Sequence, residues 1–239
     1  MDTRDFVVAI PALNEEETIY NVIQEIKTIY PNISIVVIND GSTDKTSSFA
    51  VEAGATVINM PFNVGVGGAM QTAFQFALES NFEYLIQFDA DGQHDSSSIQ
   101  QVINASIFSD VVVGNRFNDE SKMRISPIRK LAIGSLRIIV RKAIRVKISD
   151  PTSGFRIANK KAMLIYAEKY PTSYLGDTVG SLLVARQHNL KVGEVDVVMH
   201  PRQGGNASQN WIKLPIHLIR VAIIGVIFLF DLRVILRRK

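Results

Sequence analysis

Cysteine is absent from the 239 residues, which excludes disulfides and thiolate metal sites. A secretory signal is missing too: Met1–Arg4 is polar and Phe6–Pro11 is too short for a signal core. A cytoplasmic protein is therefore expected. No internal repeat and no low-complexity linker interrupts the chain. The apolar run VAIIGVIFLF (221–230) has ten residues, half of the roughly 20 that a membrane-spanning helix needs. Acidic residues are missing between Ser121 and Ser149, where nine basic residues stand.

What is present supports one large domain, or one domain with an appendage. Hydrophobic residues make up 46% and charged residues 21%, enough for a sizeable core and against disorder. The net charge of +3 conceals a split. Residues 1–121 carry 4 Lys/Arg against 17 Asp/Glu, and residues 122–239 carry 22 against 6. Such a division suggests an acidic half that holds a cation and a basic half that meets phosphates or an anionic membrane. Two solvated faces of opposite bias are the plainer alternative. No nucleic-acid partner is expected.

The first half alternates strand-like and helix-like runs. FVVAIPA (6–12), ISIVVIND (33–40), TVINMP (56–61), YLIQFDAD (84–91) and DVVVGNRF (110–117) read as strands. Between them, Ile19, Val22, Ile23, Ile26 and Ile29 recur at helical spacing, GVGGAMQTAFQFALE (65–79) continues as a helix from its glycines, and Ile99, Val102 and Ile103 mark another. Alternation of this kind predicts right-handed crossovers and a mostly parallel sheet. Further on, DPTSGFR (150–156) reads as a turn-rich loop, Ala162–Tyr170 and Thr178–His188 as helices, and KVGEVDVVMHP (191–201) as a late strand.

Ligands bind such sheets at the carboxyl ends of the strands. Four polar pieces fall there: Pro11–Glu16, Asp40–Ser42, Gly65–Gly68 and Asp89–Asp91. In an extended chain Asp89 and Asp91 point the same way. Two carboxylates aimed together suit a hard cation such as Mg²⁺ or Mn²⁺, with the Gln93 amide and the His94 imidazole nearby. Asp95 is read as support, or as the start of the next helix. Asp40 suits a ribose or base edge, while Ser42 or Asp44 can cap the helix that follows. The loop Asn63-Val64-Gly65-Val66-Gly67-Gly68 resembles a phosphate loop but lacks the P-loop lysine.

The segments IPALNEEETI, IVVINDGSTDKT, NVGVGGAMQTA, IQFDADGQHD, VVGNRF, DPTSGFR and HPRQGG occur in an order that resembles inverting family 2 glycosyltransferases. The likeness is greatest to polyprenyl-phosphate sugar synthases of the dolichyl-phosphate mannose synthase type, and covers roughly residues 5–208. It implies an α/β fold of the nucleotide-diphospho-sugar-binding (GT-A) type with a mostly parallel central sheet. By this resemblance Pro11, Asn14, Glu16 and Asp40, with Gly67, Gly68 and Ala90, hold the nucleotide sugar. Asp89, Asp91 and Gln93 hold Mg²⁺ or Mn²⁺ on the donor diphosphate. Arg116, Arg129, Lys130, Ser135 and Arg202 face the acceptor phosphate. In YLGDTVGS, where relatives carry an acidic base, Asp177 is the only carboxylate and takes that role beside Arg116. The loop after HPRQGG departs from the mannose synthases in lacking their lysine, and Arg129-Lys130 is displaced by one or two positions.

The implied reaction is transfer from a UDP- or GDP-sugar to polyprenyl phosphate. A sugar hydroxyl of a lipid-linked glycan is the alternative acceptor. A non-catalytic scaffold and a nucleotidyltransferase are readings from other classes. Residues 1–208 form the catalytic domain on this reading, and 209–239 a basic amphipathic tail. That tail lies on the cytoplasmic face of the membrane or docks on a small membrane protein. A core or dimer helix is its plainer alternative.

Overall fold

The computed structural model describes residues 3–116, 146, 148–172 and 176–200. Arg129, Lys130, Ser135, Arg202, the basic block from 122 to 145 and the 209–239 tail lie outside them.

Strand β1 (Phe6–Ala12) is buried along nearly its whole length. Its apolar run is continuous because helices cover both faces, as parallel sheets require. Val8 and Ile10 face one layer, where they meet Ile19, Val22, Ile23 and Ile26 of α1 (Ile19–Ile29). Val7 and Ala9 face the other, against Ala69, Met70, Ala73 and Phe74 of α3 (Gly65–Glu79). Between them come β2 (Ser34–Asn39), α2 (Thr46–Glu52) and β3 (Thr56–Asn59). Then follow β4 (Tyr84–Gln87), α4 (Ile99–Ser106) and β5 (Val111–Asn115). The last elements described are β6 (Arg156–Asn159), α5 (Lys160–Lys169), α6 (Ser181–Gln187) and β7 (Val192–Asp196).

The seven strands lie in the order β3-β2-β1-β4-β6-β5-β7. Pairings β1–β2, β2–β3, β1–β4 and β5–β7 are parallel. Strand β6 runs antiparallel to both β4 and β5. The sheet is therefore mostly parallel, as the sequence predicts, with one reversed strand that the sequence reading does not contain: it ends the DPTSGFR loop at Arg156 and gives residues 157–159 no element. From β1 the chain winds outward through β2 to β3, then returns to the other side of β1 as β4. That reversal makes a switch point between β1 and β4, and the crevice outside their carboxyl ends is the natural ligand site.

One detail keeps this crevice open. Pairing of β1 with β4 ends at Ala9 and Gln87, apart from the Phe88 N–H that bonds to the Ala9 carbonyl. Pro11, two residues on, points its missing N–H to the same side, where no ladder bond remains to be made. Beyond that point the two strands separate.

Candidate active site

The residue pair at the exit of β4 differs from its expected geometry. The strand ends at Gln87, so Asp89 and Asp91 stand on a turn, not in an extended run. Strand alternation does not bring them together. The turn does, with Gly92 in the left-handed region at φ 72°. Asp91 accepts a hydrogen bond from the Gln93 N–H at 3.1 Å. Asp89 lies over Gly154, where a Cβ would stand 2.9 Å from Oδ1 and 3.0 Å from Oδ2. A side chain at this position would push the carboxylate aside. On the other side, His94 Nε2 is 3.1 Å from Asp89 Oδ2.

Arg116 follows β5, two strands across from β4, within reach of the charges of Asp89 and Asp91. Its Nε donates to Asp150 Oδ2 at 2.5 Å and its Nη2 to Asp150 Oδ1 at 3.0 Å. Nη2 also reaches Thr152 Oγ1 at 2.9 Å. Burial alone would lower the proton affinity of Arg116, but the bonds and charge of Asp150, with the charges of Asp89 and Asp91, raise it. Asp150 is itself set by Glu194, whose Oε1 accepts the N–H groups of Ser149 and Asp150 at 2.6 and 2.9 Å.

Asp177 occupies a π-helical turn, Gly176–Gly180, and is 8% exposed. Burial pushes its carboxyl up to about 6, with the Arg156 guanidinium pulling down and the Asp89 charge pushing up. Arg156 is 6% exposed. It donates to the carbonyls of Pro151, Ser153 and Thr178 and to Ser181 Oγ, all within 2.9 Å. It thereby ties the DPTSG turn to the turn that carries Asp177. Tyr170 adds a hydrogen bond from its hydroxyl to the Asp177 carbonyl at 2.7 Å.

The β1 and β2 ends lock to each other. Asn14 adopts φ 54°, which asparagine tolerates. Its N–H donates to Ser42 Oγ at 2.9 Å, and its side-chain oxygen accepts the Thr43 N–H at 2.9 Å. Glu16 Oε2 accepts the Lys45 N–H at 3.0 Å. Asp44 accepts from the Thr46 N–H at 3.0 Å just ahead of α2, whose N-cap position is Lys45 and carries no side-chain cap. Asp40 is buried and accepts the N–H groups of Val64 and Gly65 at 2.7 and 2.9 Å. The first amides of the glycine loop are thus met by this carboxylate. Gly67 is a close-packing position: a Cβ would stand 2.4 Å from the Pro171 carbonyl oxygen. Gly68 backs onto the Val64 side chain, and Ala90 is buried between the two aspartates.

The structure therefore gathers Asp89, Asp91, Arg116 and Asp177 around one crevice, and Asn14, Glu16 and Asp40 along its neighbouring edge. Sequence reasoning assigned no role to Asp150, Gly154 or Arg156, although all three lie in the quoted DPTSGFR segment. Asp95 is a helix cap: it accepts the Ser97 N–H at 2.8 Å and pairs with His200 Nε2 at 2.9 Å. Among the described residues no group of three or more His, Cys, Asp or Glu side chains forms a complete cation cage. The carboxylates of Asp89 and Asp91 still fit Mg²⁺ or Mn²⁺, which take the rest of their oxygen ligands from water and substrate phosphates.

A doubly wound, mostly parallel sheet with Asp89 and Asp91 just beyond β4 and Arg116 fixed near them has the GT-A type of α/β arrangement. The Glycosyl transferase family 2 model matches residues 7–164, and the chain belongs to that family. It is 29% identical over 210 residues to a UDP-N-acetylglucosamine–dolichyl-phosphate N-acetylglucosaminyltransferase of Methanococcus voltae, covering 79% of this chain and 82% of the relative. With polyprenol monophosphomannose synthase of Mycolicibacterium smegmatis it shares 26% identity over 169 residues, 67% of this chain and 64% of the relative. Its fold matches glucosyl-3-phosphoglycerate synthase of Mycobacterium tuberculosis, crystallised with Mn²⁺, UDP-glucose and phosphoglyceric acid. The TM-score is 0.69 at 19% identity, over 91% of this chain and 77% of that one.

Proposed function

We propose that this glycosyltransferase moves a sugar, with inversion, from a UDP- or GDP-sugar to a membrane polyprenyl phosphate and depends on Mg²⁺ or Mn²⁺. The observation that carries this reading is the placement of Asp89 and Asp91 at the switch point, facing Arg116. The names of the relatives support the lipid phosphate as acceptor, and the crystallised neighbour's Mn²⁺ supports the cation.

Asp89 and Asp91, with Gln93, would hold the cation, which when bound would supply positive charge against the departing nucleoside diphosphate. Pro11, Asn14, Glu16 and Asp40 form the edge that receives the nucleoside, and Gly67, Gly68 and Ala90 let chain and donor approach closely. Arg116, held by Asp150, faces the acceptor phosphate. Its oxygen attacks the anomeric carbon from the side opposite the leaving group. Arg129, Lys130, Ser135 and Arg202 join the acceptor side on the strength of the sequence. Residues 1–208 act as the catalytic domain, and the basic tail 209–239 attaches it peripherally to the cytoplasmic membrane face or to a membrane protein partner. Among the described residues no helix is long and apolar enough to cross a membrane.

Asp177 separates the two acceptor classes. A hydroxyl needs a base throughout attack, worth about 10² to 10⁴ in rate. A phosphate monoester has its second pKa near 6 and arrives largely ionised. Asp177→Asn is therefore expected to cost about tenfold or less on polyprenyl phosphate at pH 8. A loss of 10²-fold or more on that substrate would contradict the argument that a phosphate acceptor needs no base. The same substitution has a stability signature in chelator-treated protein. The folded pKa lies above the ordinary one, so the folded state binds this proton more tightly. Stability from this group is full below about pH 4 and falls as pH rises through about 6. Above that, the asparagine variant should be more stable than wild type by up to about 3 kcal/mol. Thermal melts at pH 5 and pH 8 check the sign.

The reading itself is tested by incubating the protein with Mn²⁺, a panel of nucleotide sugars and polyprenyl phosphate. Labelled sugar on the lipid phosphate is the expected product. Transfer only to a lipid-linked glycan would overturn the acceptor assignment.

A further inference from the structure

We propose that His94 is a positioning residue for Asp89: its Nε2–H orients the carboxylate for cation binding. This rests on the assignment of Asp89 as a metal ligand.

His94 is 2% exposed. Its ring stacks on Phe155 at 4.9 Å with 24° between planes, and meets Phe88 edge-on at 5.0 Å. Phe88 and Phe155 contact each other at 5.4 Å, which closes the slot. The backbone is fixed as well. His94 bridges to Met199, and the Gln93 carbonyl accepts the His200 N–H at 2.8 Å. The ring has no room to swing away.

An apolar slot of this kind would accept phenylalanine at no polar cost, yet it holds an imidazole. Nε2 stands 3.1 Å from Asp89 Oδ2. The approach is off the line of a full hydrogen bond, and neither ring nitrogen has a well-formed partner among the described residues. Leaving such a group buried costs stability. Its aim at Asp89 is what offsets this cost. The carboxylate is confined between His94 on one side and the bare backbone of Gly154 on the other. Such catalytic contacts are often long in the ligand-free state and tighten when the site fills. Partners behind a metal ligand fix its orientation, and their loss lowers metal affinity by about 10- to 100-fold.

Mn²⁺ binding to the full chain, followed by the electron paramagnetic resonance of the free ion, tests this. His94→Phe keeps the ring and removes the donor. It is expected to weaken Mn²⁺ binding by about 10- to 100-fold while the melting temperature stays the same or rises. His94→Gln, whose amide reaches toward the same oxygen, should recover part of the affinity. Excess Mn²⁺ should restore much of the His94→Phe transfer rate. Mn²⁺ affinity equal to wild type in His94→Phe overturns the proposal. A joint loss of affinity and melting temperature in both variants does so too, since it marks a packing role. If wild type and Asp91→Ala bind Mn²⁺ equally, the metal assignment fails first, and with it this inference.

Discussion

Asp91→Ala is expected to lower the rate of sugar transfer by about 10³-fold or more and to leave the protein folded. On the proposed reading, charge grows on the diphosphate as the sugar departs, and several kcal/mol of its stabilisation would depend on a cation held by Asp89 and Asp91. Each 1.36 kcal/mol is a factor of ten in rate. The substitution removes half of the carboxylate pair. Little of the fold depends on it: Asp91 is half-buried on a turn, and it accepts the Gln93 N–H at 3.1 Å. In the cation-free protein the loss of a like charge beside Asp89 even relieves repulsion. Initial rates at saturating donor, with a melt on the same sample, read both effects. A rate close to wild type would remove the metal site from the account.

Asp150→Ala is expected to be the most destabilising single change at the site, by about 3 to 5 kcal/mol. Asp150 is fully buried, and both its oxygens bond to Arg116. Thr152 Oγ1 adds a bond at 3.0 Å. Removing the carboxylate takes from a largely buried guanidinium the counter-charge it is hydrogen-bonded to and leaves it the charges of Asp89 and Asp91. The pair also carries a pH dependence. Burial pushes the Asp150 carboxyl up, but hydrogen bonds and charge from Arg116 outweigh it and hold the pKa below the ordinary value. A depressed folded pKa means that this stabilisation is present above about pH 4 and is lost as pH falls through the lower folded value. Wild type should therefore lose stability in acid more steeply than the alanine variant. Denaturant melts at pH 7 and pH 3 measure the difference. Equal destabilisation at both pH values would contradict the ion-pair argument.

Much of the site could be read without coordinates, for a physical reason. Strands β1 and β2 are continuous apolar runs broken by Asn, Asp, Gly and Pro, so their carboxyl ends are marked in the chain itself. Strand β6 has no such mark. Its four residues include Arg156 and Asn159, and only Ile157 and Ala158 are apolar. Pairing with β4 and β5 on either side makes it a strand, and that pairing is tertiary. The same limit hid Asp150, whose partner Arg116 lies 34 residues earlier. It also explains the aspartates. Their shared placement past β4 is legible in the chain, but its cause is not, because ladder pairing stops at Gln87 and a turn takes over. The acidic half contributes both aspartates to the crevice. The basic half contributes Arg156, while its 122–145 block lies outside the described residues.

The most direct test of metal-dependent inverting transfer is the anomeric configuration of the lipid product, read by nuclear magnetic resonance from an α-linked nucleotide sugar and polyprenyl phosphate. With Mn²⁺ present, a β-linked sugar phosphate is predicted, and with a chelator no product. An α-linked product, or transfer at full rate in the chelator, would contradict the account.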